Sequence, residues 1–151
     1  MNSPPLQDTD SRKATEPVEL AFPGHFPPGC PPTTATQTNA EVFRFVWTDP
    51  PTNADFRSKF EETNPCGKVI CNHCSLSVFG SLTTAEARLR ELNRKYPGRG
   101  YHRYIAKGFL NLEHGKILLT NKITDHSEFW VYTDVDLLPN FAVVRELELG
   151  T

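Results

Sequence analysis

The chain has 151 residues, 38% of them apolar, and a formal net charge of -2. That length suits one domain with one modest core. The near-neutral charge excludes a global field drawing the protein to nucleic acid or to an anionic membrane. No run approaches the ~18 apolar residues of a membrane span, and the first twenty residues lack the apolar stretch of a secretory signal. The four cysteines are unevenly spaced, unlike a secreted disulfide framework, so the expectation is a cytoplasmic protein with reduced thiols.

Ten of the thirteen prolines fall within residues 1–51. Residues 1–40 carry Pro, Ser, Thr and Asn without an amphipathic period. Such composition cannot bury enough surface to offset ordering entropy, so this segment reads as a disordered or loosely docked tail. Leu20 to Phe26 differs: Phe22 and Phe26 among prolines suit docking on the domain or on a partner.

A single α+β domain is expected over residues 41–149. Glu41 to Trp47 reads as a strand, rich in aromatic and β-branched residues. Arg44 stands on it in the row of Val42 and Val46, where an arginine snorkels to an edge or pairs with a carboxylate. Asp49-Pro-Pro is a turn. Ala54 to Glu62 suits a short helix, with Phe56 and Phe60 on one face. A loop over 63–73 leads to a second strand, Cys74 to Phe79.

Thr83-Thr-Ala-Glu86 has capping-box spacing and predicts a helix running to about Tyr96, where Pro97-Gly98 stops it. Ala85, Leu89, Leu92 and Tyr96 form its apolar stripe. Four further strands are expected at Tyr101–Lys107, Lys116–Thr120, Glu128–Thr133 and Phe141–Leu147. Asp134 to Pro139 suits a helical turn. Two strand–helix pairs followed by four strands favour a small, mostly antiparallel sheet with one or two helices.

Three groups of residues could carry chemistry. Cys66, Cys71 and Cys74 lie within nine residues, beside His73. Thiolates at C-x2-C spacing are common zinc ligands, and His73, His102 or His114 could complete a structural Cys3His site. The C-x4-C-x2-C spacing also resembles three ligands of plant-type ferredoxins, but no cysteine follows Cys74 to supply the fourth. Loop and core thiols are the plainer account.

Charge supplies the second group. From Arg88 to Lys107 there are seven Lys/Arg and one acid; from Gly108 onward there are three Lys/Arg and seven acids. Arg94, Lys95, Arg99, Tyr101 and Arg103 interleave cations with aromatics around two glycines, a composition suited to an anionic ligand or to nucleic acid. The alternative is a helix stop followed by a strand with solvated basic residues.

The third group is dispersed: Arg44 on the first strand, Ser75-Leu-Ser77 on the second, Glu146-Leu-Glu148 on the last. This order resembles that of ADP-ribosyltransferases. The resemblance implies that Arg44 holds a phosphate of NAD, Ser77 supports the nicotinamide ribose side and Glu148 polarises the ribose. His126, with Asp125 or Glu128, is a further candidate general base near Trp130 and Tyr132. The leading expectation is a small cytoplasmic binding or regulatory module recognising a protein partner or an anionic ligand. A nucleotide-using enzyme and a zinc-stabilised nucleic-acid binder are the alternatives.

Overall fold

The computed structural model describes residues 20–63, 68–97 and 102–148. Six strands form one antiparallel sheet: β1 (Ala40–Val46), β2 (Leu76–Phe79), β3 (Tyr104–Leu110), β4 (Gly115–Asn121), β5 (His126–Val131) and β6 (Phe141–Glu146). Their order across the sheet is β4-β5-β2-β1-β3-β6. Among the described residues two α-helices accompany them, α1 (Lys59–Thr63) and α2 (Leu82–Lys95). The α+β expectation holds, with every pairing in the sheet antiparallel.

Strand alternation puts an apolar layer on each face. Val42, Val46, Leu76, Val78, Ala106, Leu110 and Phe129 make one layer, closed by Leu137 and Phe141. Phe43, Phe79 and Ile105 make the other, covered by Ala85 and Leu89 of α2. The helix begins earlier than the Thr83–Glu86 spacing suggests. Ser81 is its N-cap and its Oγ accepts from the Thr84 N–H at 3.1 Å. Glu86 turns instead toward Arg145 (3.0 Å) and Arg90 (3.9 Å). The register is set by burying Ala85 and Leu89, which leaves Glu86 free to reach β6.

Residues 20–37 form a strap packed on the sheet, so docking is the outcome for Phe22 and Phe26. Phe22 stacks on Phe26 (5.4 Å between centroids) and leans on Tyr132 (4.8 Å). The Thr133 N–H donates to the Ala21 carbonyl, and Thr36 bridges to Ile117 on β4. A disulfide joins Cys30 to Cys71. The expectation of reduced thiols is thereby corrected for these two: the strap carries Cys30 back over the turn that holds Cys71. Ala35, Cys74 and Trp130 form a third buried cluster beneath the strap. Among the described residues, no helix is long and apolar enough to cross a membrane.

Candidate anion-binding cleft

The cleft begins where two strands part. β1 pairs with β3 over seven residues but with β2 only at Phe43↔Phe79. Beyond that pair the strands splay, and the Ser77 carbonyl loses the partner a continuous ladder would give it. Arg44 fills the gap. Its Nη1 donates to the Ser77 carbonyl at 2.9 Å and its Nε to the Asp55 carbonyl at 2.8 Å. The guanidinium fork serves two backbone carbonyls at once.

Asp55 anchors the other wall. Its carboxylate is buried and accepts from the Trp47 N–H (2.7 Å) and the Thr52 N–H (2.8 Å). This fixes the turn after β1 and sends Arg57 and Lys59 toward the gap. Burial lowers the Arg44 pKa to about 10, with Asp55 and Glu62 opposing the fall, so the side chain remains a cation at neutral pH.

The resulting cleft is about 380 Å³. Arg44, Arg57, Lys59 and Arg88 line it against one carboxylate, Glu62; Phe45, Phe79 and Leu92 supply apolar wall. Arg88 also pairs with Glu91, whereas Arg57 and Lys59 are exposed and form no ion pair among the described residues. A second cavity of about 300 Å³ lies under the strap. It has one Lys/Arg, Arg57, against Glu61, Asp134 and Asp136, so its lining has the opposite charge balance to that of the first cleft.

Two histidines line the cleft. His102 packs at a tilt against Trp47, 3.8 Å between centroids. Burial, then the nearby Arg44, lowers its pKa to about 4, while Asp55 pulls the other way. The sign follows directly. Between pH 6.5 and 4 the unfolded chain protonates this imidazole and the folded chain does not, so stability present above pH 6.5 is lost as pH falls toward 4. Each pK unit is worth ~1.4 kcal/mol; discounted for the solvent-facing part of the ring, the loss is about 2 kcal/mol. Urea unfolding of His102→Gln at pH 7 and pH 4.5 should show a smaller acid loss than wild type, and an equal loss would refute it.

The other histidine, His126, meets Ser77. Its Nε2 is 2.9 Å from Ser77 Oγ, and its Nδ1 is 2.6 Å from Thr120 Oγ1. Burial lowers its pKa; Glu128 opposes the fall and Arg88 adds to it. Next along the same face, Ser75 Oγ donates to Glu128 Oε1 at 3.0 Å.

Of the residues named by the transferase resemblance, Arg44 meets the Ser77 backbone carbonyl and both line the cleft, whereas Glu148 lies elsewhere. Glu148 follows β6, at the far edge of the sheet; it is exposed and does not line the cleft. Arg94 and Lys95 lie exposed at the end of α2, Arg103 pairs with Glu146 at 3.5 Å, and Arg99 and Tyr101 lie outside the described residues. The basic run is largely matched in space: Lys107 meets Glu41 (3.6 Å) and Arg90 meets Glu86. Sequence reasoning missed Arg57, Lys59 and Arg88 as cleft residues. No pattern marks them, because turns and strand splay bring them in.

Of the expected Cys66, Cys71 and Cys74 ligand set, Cys74 alone has a free thiol among the described residues. Cys71 commits its sulfur to Cys30, and Cys66 lies outside the described residues. Cys74 is buried, its thiol directed at the Ile70 carbonyl (3.7 Å); burial, with Glu61, raises its pKa and holds it protonated. Among the described residues, no three His, Cys, Asp or Glu side chains converge to hold a metal ion. Comparison of the chain with protein-family models, curated proteins and solved structures finds no match.

Proposed function

We propose that the protein is a binding module for an anionic small ligand of the nucleotide class, held in the cleft between β1 and β2. The observation that carries this reading is four cations facing one carboxylate beside aromatic wall, in a chain whose net charge is -2. Cations hold phosphate oxygens, with arginine suited to bidentate contact, while half-buried Phe45, backed by Phe79, offers an apolar wall to a base. The site is thus displaced from the basic segment around residues 94–103 to the cleft. The transferase reading draws on Arg44 and Ser77 sharing that cleft, but its carboxylate, Glu148, is off it, so ligand binding is the better supported function. The Cys30–Cys71 disulfide supports an oxidising setting over the reducing cytoplasm.

Arg57 and Lys59 are the test because they are exposed and take no part in the core. Calorimetric titration with ADP should show at least a tenfold weaker Kd for Arg57→Ala with Lys59→Ala, about 1.4 kcal/mol, at an unchanged Tm. Equal affinity in both proteins would reject the cleft as the site.

A further inference from the structure

The direction of the Ser77–His126 contact follows the imidazole tautomer, and Thr120 bears on that tautomer. β4 carries a bulge where Leu119 pairs with Ser127 and Asn121 with His126, leaving Thr120 as the extra residue. Bulges re-aim side chains, and this one sets Thr120 Oγ1 against two atoms of His126. Thr120 has one hydroxyl proton. In the Nδ1–H tautomer of His126, that proton goes to the His126 carbonyl at 3.1 Å and Oγ1 accepts from Nδ1–H at 2.6 Å. A neutral imidazole carrying its proton on Nδ1 has a lone pair on Nε2. In that tautomer the Nε2 lone pair, 2.9 Å from Ser77 Oγ, is the acceptor for the Ser77 hydroxyl proton.

An oriented imidazole accepting from a serine hydroxyl is the arrangement that activates a nucleophile. Ser77 is exposed and lines the cleft, so its Oγ is approachable. The Phe79 ring meets the imidazole edge-on at 5.6 Å and restricts its rotation. The lowered His126 pKa keeps the base neutral at pH 7.

We propose that Ser77 is a catalytic nucleophile, with His126 as its general base and Thr120 as a positioning residue, acting on a carboxylic ester that carries a phosphate group. The Ser77 Oγ–H bond breaks as its proton passes to Nε2. Oγ bonds to the carbonyl carbon, and the bond to the alcohol oxygen breaks. His126 returns the proton to that oxygen, releasing the alcohol. Water, deprotonated by the same Nε2, then cleaves the acyl–Ser77 ester to give the acid and restore the hydroxyl. Imidazole takes and returns one proton in each half, so ester plus water gives acid plus alcohol. The phosphate half of this proposal rests on the cleft reading above; the nucleophile does not.

The experiment uses diisopropyl fluorophosphate on the full chain, read by peptide mass spectrometry. Its phosphorus is attacked by Oγ, fluoride leaves and the proton goes to His126. Being uncharged, it reports on Ser77 even if the cations bind nothing. The expected result is an adduct at Ser77, formed at least tenfold more slowly in His126→Gln and Thr120→Val and restored in Thr120→Ser. All variants are checked for unchanged Tm. No adduct at Ser77, or equal rates in His126→Gln, would overturn the nucleophile. ADP should slow labelling of the wild type; labelling that ADP leaves unchanged would overturn the phosphate-bearing substrate.

Discussion

Loss of the Cys30–Cys71 disulfide should lower the unfolding free energy by about 4 kcal/mol, the chain-entropy value for a loop of 41 residues. The cross-link restrains the unfolded chain, and in the folded state it ties the strap to the turn preceding β2. Nothing local compensates. Cys74 is buried and protonated, and the strap's other ties are the Ala21 and Thr36 backbone bonds and the aromatic contacts of Phe22 and Phe26. Cys30→Ser with Cys71→Ser should reduce Tm by roughly 10 °C for a chain of this size. Alkylation before and after reduction should find two additional reactive thiols. A double variant as stable as wild type would mean that the pair contributes no such restraint.

Trp130→Ala should cost about 4 kcal/mol, within the usual range for truncating a buried aromatic. Trp130 is 1% exposed, and its Nε1–H donates to the Cys71 carbonyl at 3.0 Å. Truncation opens a void beneath the strap and leaves that carbonyl without its donor, a cost beyond the lost area. Trp130→Phe keeps most of the ring volume and should recover about half of the loss. Against a typical domain stability of roughly 5–15 kcal/mol, the alanine variant should be marginal at 37 °C. Urea denaturation with an unchanged m-value is the measurement. Because Trp130 and Cys71 touch, the losses from Trp130→Ala and from disulfide removal should not add, and a strictly additive double variant would contradict their coupling.

Much of the sheet is legible in the sequence because its strands alternate. Val42 and Val46 against Phe43 and Phe45, and Leu76 and Val78 against Ser77 and Phe79, state which face each residue takes. The helix was legible through Ala85 and Leu89, and its first turn was not: two Thr compete with Ser81 for the cap, and packing chooses among them. Proline content hid the strap, because composition scores what a segment can bury alone. Phe22, Phe26 and Cys30 bury surface that belongs to β5 and to the turn at Cys71.

The cleft shows the same limit more sharply. Arg44 stood out as a cation in an apolar row, and Ser77 as a polar residue on a strand. Their meeting depends on β1 and β2 parting after one pair, which no local pattern encodes. Arg57 with Lys59, Arg88 and His126 converge from three further segments. His126 was legible as a titratable group; its Ser77 partner, 49 positions away, follows from strand order.

Titration of the 15N-labelled protein with ADP, and separately with pyrophosphate, followed by amide NMR, is the measurement that tests the cleft most directly. Saturable shifts are expected at Phe45, Ser77, Phe79 and His126 and at the Arg44 Nε–H, with pyrophosphate moving the arginine signal more than the aromatic wall. Shifts confined to residues 94–103, or none with either ligand, would contradict the cleft reading.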